Sequence, residues 1–229
     1  MDNSRLMNNM TASFKEETGY ADKYGHFLKL DSEKRERIIA AAFDEFIVKG
    51  YGEASTNNIV QEAGISKGLL FRYFGNKEGL YNFLMIESSS SLTRSVFPEL
   101  DFTKGDVFDI IKQITRVKLE ICLNYPRESN FLISAWAQNN LPTAVIECRE
   151  SLTGVSYDYL DIVIAMIDKT LLRGDIDINV VAEIITWVCE KYTDKVLASG
   201  MLTTDYNDWN IIADELDIYL DALRLGLYK

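Results

Sequence analysis

The sequence has few of the residues on which much enzyme and metal chemistry depends. Its 229 residues include a single histidine, His26, and three cysteines. One histidine near the start of the chain cannot supply a histidine-based triad, an HExxH zinc pair or a cysteine–histidine metal cluster around a folded core. A glycine-rich phosphate loop of the Walker or Rossmann type is also absent. We therefore expect no enzyme activity, no bound metal and no cofactor, and only carboxylate-based chemistry stays open.

Long apolar runs are missing as well. The longest, residues 162–167, has six residues, whereas a membrane-spanning helix needs about 20. The chain does not open with a basic segment followed by an apolar stretch, which argues against secretion. Cys122, Cys148 and Cys189 are widely spaced, and each lies in an apolar helical context. We expect free buried thiols in a cytoplasmic protein without a membrane segment, with a redox sensor as the less favoured alternative.

Strict alternation of apolar and polar residues, the mark of a half-buried strand, is not found either. Instead, apolar residues recur at helical spacing between the three prolines, and 47% of the residues are hydrophobic. A stripe that begins at Ile38 and ends at Ile47 predicts a first helix, for which Asp31 or Ser32 is a suitable cap. Later helices are predicted near residues 104–124, 127–139, 143–172, 179–199 and 206–227.

The most informative stretch is TNNIVQEAGISKGLLFRYFGNK, residues 56–77, which has the pattern of two short helices joined by a tight turn. Ser55 or Thr56 is placed to cap the first helix. Gly64 suits the end of that helix, where a residue with positive φ is needed. Ser66 is then placed to cap the second helix. This arrangement is typical of a DNA-reading helix-turn-helix unit.

The second short helix, predicted over residues 67–74, has two chemically different faces. Leu70 and Phe74 are one turn apart and should be buried. The remaining face should present Lys67, Arg72 and Tyr73.

The stretch from about residue 32 to residue 87 resembles the N-terminal domain of the TetR family of dimeric, ligand-responsive transcriptional repressors. The resemblance is carried by Ala-Ala-Phe-x-x-Phe, the Gly-Tyr pair at residues 50 and 51, Thr-x-x-Ile, Ala-Gly-Ile-Ser-Lys-Gly, and Tyr-Phe-x-x-Lys-Glu-x-Leu. Beyond residue 87 only the layout is similar, because the C-terminal domains of the family share an all-helical plan but little sequence. The resemblance implies an all-α protein with a three-helix DNA-binding domain and a helical ligand-binding and dimerisation domain.

The resemblance also implies which residues contact operator DNA. The expected set is Thr56, Asn57, Ser66, Lys67, Gly68, Phe71, Arg72, Tyr73 and Lys77. The positions that match phosphate contacts are Thr56, Tyr73 and Lys77. Those that match positions near base edges or a thymine methyl group are Lys67, Gly68, Phe71 and Arg72. Phe71 replaces the more usual tyrosine, and Asn57 stands where many members have a basic residue. We therefore expect a weaker electrostatic interaction with the DNA phosphates.

The distribution of charge fits this interpretation better than the total does. The net charge is −11, but residues 88–229 contain 13 basic and 22 acidic side chains and so carry most of the excess. Residues 55–77 contain three basic side chains against Glu62 alone. Because salt screens charges over about 8–10 Å, the local potential matters more than the total for a phosphate contact. So few cations still predict weak non-specific binding.

Two further sites are expected in the C-terminal part. The resemblance implies an apolar effector pocket, for which the candidate residues are Glu120, Phe131, Trp136 and Tyr157. A carboxylate at Glu120 would favour a cationic or hydrogen-bond-donating effector, although each of these residues taken singly suits the core or the solvent better. The resemblance also implies a homodimer formed by the last two helices, with candidate interface residues Ile184, Val188, Ile212, Leu216, Tyr219, Leu220 and Leu223.

These observations lead to a three-part organisation. We expect a flexible extension over residues 1–30, a helix-turn-helix domain over 31–77 and a helical ligand-binding and dimerisation domain over 78–229, with a helix from 77 to about 96 connecting the last two. The expected function is a regulator, most simply a repressor, that binds a palindromic operator on double-stranded DNA as a dimer and is released by a small molecule. The alternative is a helical protein–protein interaction module that does not bind DNA.

Overall fold

The computed structural model describes residues 20–101, 106–138, 140–148, 169–174, 176–199 and 206–229. The chain forms two compact units, one of Met1–Phe97 with Tyr125–Thr153 and the other of Pro98–Asn124 with Gly154–Lys229. Within the described ranges the regular elements are helical, and β pairing is limited to an isolated bridge between Leu172 and Tyr228. The predicted all-α fold is confirmed.

The first unit contains the whole of the predicted DNA-binding domain, residues 31–77. Its helices are α1 (Tyr20–Leu28), α2 (Ser32–Glu53), α3 (Thr56–Ala63), α4 (Lys67–Phe74), α5 (Lys77–Val96) and α7 (Pro126–Ala137). The predicted cap at Asp31 is confirmed, since its carboxylate accepts a hydrogen bond of 2.8 Å from the Lys34 N–H. Helix α2 is kinked at Gly50, where φ is 66°, a value that glycine adopts without the strain that a side chain would cause.

The second unit contains α6 (Val107–Asn124), α8 (Ile178–Ser199) and α9 (Tyr206–Leu227). Arg116 on α6 pairs with Asp214 and Asp217 on α9, at 3.0 and 2.6 Å. The Tyr192 hydroxyl on α8 donates to the Ile212 carbonyl oxygen of α9 at 2.8 Å. These contacts tie both neighbouring helices to α9.

Most of the predicted helices outside residues 56–77 are confirmed within a few residues. The helix predicted at 143–172 is the exception: residues 143–148 are helical, 149–168 lie outside the described residues, and Lys169–Leu171 form a 3-10 turn. The expected boundary after residue 77 does not separate the two units, because α5 and α7 belong to the first. The Phe131 ring of α7 packs between α2 and α5, 5.2 Å from Phe43 and 4.9 Å from Tyr81.

The expectation of a flexible extension up to residue 30 is wrong for residues 20–28, which form α1. Three aromatic residues on one face of α1, Tyr20, Tyr24 and Phe27, are buried. The Phe27 ring lies 4.7 Å from Phe74 and 5.0 Å from Phe83. Burial of apolar aromatic surface therefore orders a segment whose local sequence is a poor helix signal. Residues 1–19 lie outside the described part of the chain.

Replacing Phe27 by Ala should lower the free energy of unfolding by about 3–5 kcal/mol, because it removes a fully buried ring from between α4 and α5. Urea unfolding followed by circular dichroism measures this loss. Lys29→Ala, at an exposed position just after α1, should change stability by less than about 0.5 kcal/mol. Equal stability of the two variants would show that α1 is not part of the folded core.

Candidate DNA-binding surface

The turn between α3 and α4 is built from local hydrogen bonds. Gly64 ends α3 in the left-handed conformation, with φ 66° and ψ 38°. The Ile65 N–H returns to the Val60 carbonyl oxygen at 3.0 Å, and the Ser66 hydroxyl caps α4 by accepting from the Leu69 N–H at 3.2 Å. The predicted glycine turn and serine cap are therefore confirmed, and α3 and α4 are joined as a helix-turn-helix.

The start of α3 differs from the expectation. Ser55 occupies the cap position, but its hydroxyl makes no capping hydrogen bond. Its N–H instead donates to the Glu45 carboxylate on α2 at 2.8 Å, and the same carboxylate accepts from the Asn58 side chain. Glu45 thus fixes α3 to α2.

Helix α4 has one buried face and one exposed face. Leu70 and Phe74 are buried, as predicted. The side chains of Lys67, Phe71 and Arg72 are exposed, and the Lys67 ammonium lies 5.7 Å from the centre of the Phe71 ring. Among the described residues neither Lys67 nor Arg72 forms an ion pair, so both cations face solvent on a helix that Ser66 caps.

The remaining predicted contact residues lie around this surface. Asn57, Ser66 and Gly68 are exposed, and Thr56 is half-buried at the first residue of α3.

Comparisons with known proteins agree with this geometry. Residues 38–83 match the model of the family described as bacterial regulatory proteins, tetR family. These residues begin in α2 and end in α5, so the match contains the whole α3–α4 unit. The matched segment is therefore similar to the DNA-binding domain of tetR-family regulators.

Individual relatives resemble this chain over different lengths. The uncharacterized HTH-type transcriptional regulator YvkB of Bacillus subtilis is 34% identical over 84 residues, which are 37% of this chain and 42% of YvkB. The chain therefore spans about two fifths of the length of the curated relatives it matches.

Two solved structures share the fold over most of the chain. A TetR family transcriptional regulator from Chloroflexus aurantiacus is 22% identical, with a TM-score of 0.60, and the match covers 90% of this chain and 98% of that one. NalD of Pseudomonas aeruginosa, a secondary repressor of a multidrug efflux pump, is 16% identical, with a TM-score of 0.63 and coverage of 87% and 99%.

Tyr73 is not on the exposed face of α4, contrary to the expectation. Only 6% of its surface is accessible, and its ring lies 5.7 Å from that of Phe27. The ring is held inside because α1 covers this side of α4. A contact with DNA could be made only through the edge of this side chain.

The Lys77 side chain is bound to backbone groups within the first unit, which the sequence did not show. Its ammonium donates hydrogen bonds to three carbonyl oxygens at the end of α2, those of Tyr51 at 2.7 Å and of Gly52 and Ala54 at 3.1 Å. It also lies 4.7 Å from the centre of the Tyr51 ring. An ammonium has three N–H donors, so this arrangement uses all of them. The expected direct phosphate contact by Lys77 is therefore incompatible with the observed state of the side chain.

The predicted effector-binding residues are not brought together. Phe131 is 1% exposed and packs in the core of the first unit, so it presents no surface to a cavity, and the expectation for it is wrong. Trp136, half-buried, belongs to the same unit, whereas Glu120 is an exposed residue of α6 in the second. Tyr157 lies outside the described residues.

Lys118 is the ionisable residue that sequence reasoning missed. It lies in register with the apolar stripe of α6, one turn after Ile114 and one turn before Cys122, but its side chain is exposed. Burial lowers the pKa of the Lys118 amine and raises the pKa of the nearby Cys189 thiol to about 11. The Lys118 side chain is crowded by neighbouring protein atoms, which lowers the pKa of its amine, while solvent still reaches it. The sequence contained a signal for this residue, because a lysine occupies a position of the stripe where the periodicity predicts an apolar residue.

The predicted dimer residues divide into two groups. Ile212, Leu216 and Leu220 are buried inside the second unit, so they cannot form an interface, and the expectation for them is wrong. The other four keep accessible surface: Ile184, Val188 and Leu223 are half-buried and Tyr219 is exposed. The sequence pattern could not separate these groups because α9 is apolar on two faces, one of which packs inside the unit.

Both α8 and α9 nevertheless carry large apolar residues that are exposed. On α8, Trp187 is 60% exposed. On α9 the exposed apolar residues include Ile211, Ile218 and Leu225, which recur every seven residues and so form one stripe.

No group of His, Cys, Asp and Glu side chains in these ranges is arranged to hold a metal ion. None of the described helices combines the length and apolar character that crossing a membrane requires.

Replacing Lys77 by Met should lower the free energy of unfolding by about 1–3 kcal/mol, because three carbonyl oxygens lose a charged donor. The matched control is Lys67→Met, which removes an exposed cation of the same unit without these bonds and should be nearly neutral. Urea unfolding of both variants gives the comparison. If both were as stable as the wild type, the Lys77 ammonium would be free to contact phosphate after all.

Proposed function

We propose that this chain is a cytoplasmic transcriptional regulator, most simply a repressor, that binds a palindromic operator as a homodimer and is released by a small molecule. The observation that carries the proposal is the outward face of α4, where Lys67 and Arg72 are exposed on a helix whose other face is locked into the core. A helix of this kind can enter the major groove of DNA without losing its packing.

The proposed contacts have separate tasks. Lys67 and Arg72 can donate to guanine base edges or to phosphates, and the exposed Phe71 ring can contact a thymine methyl group. Thr56, Asn57 and Ser66 are polar side chains near the N-terminal ends of α3 and α4, where partial positive charge favours phosphate. Gly68 leaves room for close approach of the helix to DNA. With Lys77 engaged elsewhere, α4 and the turn before it carry just these two exposed cations.

This low charge supports the proposal of a dimer. Two half-sites linked in one complex gain affinity through effective concentration, which can supply a factor of about 100 or more without any new contact. The exposed apolar residues of α8 and α9 are the surface we assign to the interface. Tyr219, Ile184, Val188 and Leu223 keep the role expected for them in this proposal.

The effector is proposed to bind in the second unit. A ligand there would change DNA affinity only if it favoured one conformation over another, and typical coupling is about 1–3 kcal/mol. Lys118 suits an anionic or hydrogen-bond-accepting group, the reverse of the cationic effector that Glu120 would favour. Native mass spectrometry of protein purified from cells would show whether a small molecule copurifies.

Alanine at Lys67 or Arg72 should weaken binding to a duplex selected from a random library by the wild-type protein. The expected cost is about 1–3 kcal/mol for each, with relaxed preference at one base pair in each half-site. Lys169→Ala removes the same charge from an exposed residue of the 3-10 turn in the second unit and serves as control. Fluorescence anisotropy across a salt series measures affinity and slope together. If the wild type selects no sequence from the library, the α4 surface is not a DNA reader and the protein-interaction alternative gains support.

Trp187→Glu or Ile218→Glu should yield monomers, because each places a charge in the exposed apolar surface of α8 and α9. Sedimentation velocity at micromolar concentration measures the change, and operator affinity should fall by a factor of about 100 or more. Val48→Glu makes a similar change at an exposed aliphatic residue of the first unit and should leave the dimer intact. A wild-type monomer at this concentration would rule out the assigned interface.

A further inference from the structure

A short segment sets the direction in which the DNA-reading helices leave α2. Residues 50–54, here called the hinge segment, run from the kink at Gly50 to the residue before the α3 cap. The Ala54 N–H closes the segment by donating to the Gly50 carbonyl oxygen at 3.2 Å. Since α3 and α4 follow directly, a small rotation here would displace both helices together.

One side chain from a distant part of the chain reaches this segment. The Tyr51 N–H donates to Oε1 of Gln138 at 2.8 Å, although the two residues are 87 positions apart. Gln138 is the C-cap residue that follows the last residue of α7. A Cβ atom at Gly50 would lie 3.2 Å from the same oxygen, so the glycine permits the close approach as well as the kink.

The orientation of the Gln138 amide is fixed by its other contacts. Its Nε2 donates to the Ser134 carbonyl oxygen at 3.0 Å and to the Ser134 hydroxyl at 3.2 Å. Nε2 also lies 3.5 Å from the Tyr81 hydroxyl on α5. These acceptors require the nitrogen to point toward Ser134, so the oxygen must point toward Tyr51.

The other side of the hinge segment is held by α5. Lys77, the first residue of that helix, binds three of its carbonyl oxygens, as described above. The Tyr51 and Tyr81 rings are 5.1 Å apart, and Tyr81 in turn lies 4.9 Å from Phe131 of α7. The segment therefore has two anchors, Lys77 for its carbonyl groups and Gln138 for an N–H group, of which only Gln138 comes from α7.

We propose that Gln138 is a positioning residue through which the C-terminal end of α7 sets the hinge segment, and with it the placement of α4 on DNA. The inference rests on the proposed function, because placement of α4 matters only to a DNA reader. A displacement of the end of α7 by about 1 Å would take the Tyr51–Gln138 pair beyond hydrogen-bonding distance. The resulting change in DNA affinity should be about 5- to 150-fold, the range typical of coupled sites.

Two substitutions separate the bond from simple packing. Gln138→Met keeps the length of the side chain but accepts no hydrogen bond from Tyr51. Gln138→Glu keeps an oxygen acceptor for the Tyr51 N–H while losing the donor to Ser134. The control is Gln113→Met, because Gln113 is a half-buried glutamine of the second unit whose Oε1 accepts from the Asp101 N–H at 3.2 Å.

The readouts are amide hydrogen exchange and affinity for a duplex selected by the wild-type protein. In Gln138→Met we expect faster exchange at Tyr51, extending through the hinge segment into α3, and an affinity about 5- to 150-fold lower. Gln138→Glu should retain most of the protection at Tyr51 and most of the affinity, and Gln113→Met should leave both unchanged. A merely structural role would predict similar losses in all destabilised variants, regardless of the acceptor at residue 138.

Two results would overturn the inference. One is unchanged exchange at Tyr51 in Gln138→Met, and the other is faster exchange with unchanged affinity. If the wild-type protein bound no DNA, the proposed function would fail on that result alone. The exchange measurements would still decide whether Gln138 holds the hinge segment and α3, since they need no DNA.

Discussion

The packing of aromatic rings behind α4 is the constraint on which the rest of the first unit depends. Phe74, the last residue of that helix, lies 4.7 Å from Phe27 of α1 and 5.2 Å from Phe83 of α5. Rings at these separations fill the interior with stiff groups that have few rotamers, so α4 cannot roll without disturbing two other helices. The polar surface of α4 is therefore presented at a fixed angle, and the caps and turns only define where the helix starts and stops.

Local features of the sequence predicted the helix-turn-helix accurately because its structure is determined locally. Gly64 and Ser66 act on backbone groups within five residues of themselves. The exposed position of Arg72 follows from helical spacing once Leu70 and Phe74 are assigned to the core. The sequence was sufficient to place these residues because the contacts that define their positions lie within the helix-turn-helix itself.

The errors arose where a distant element decides the outcome. Tyr73 lies at the border between the two faces of α4, and α1 turns that border into an interior. Lys77 resembles any surface lysine until its ammonium is seen beside carbonyl groups more than twenty positions earlier. Both faces of α9 carry large aliphatic residues, so Leu220 on the inner face and Ile218 on the outer one could not be told apart by periodicity.

The engagement of Lys77 has a consequence for how the protein would behave under osmotic stress. With Lys67 and Arg72 as the cations available on α4, a dimer would bring four of them to the operator. A protein that neutralises four phosphates loses about 12-fold in affinity when the salt concentration doubles, whereas one that neutralises ten loses about 500-fold, given a slope of about −0.9 per contact. Operator occupancy would thus vary comparatively little as the cell accumulates potassium in concentrated media.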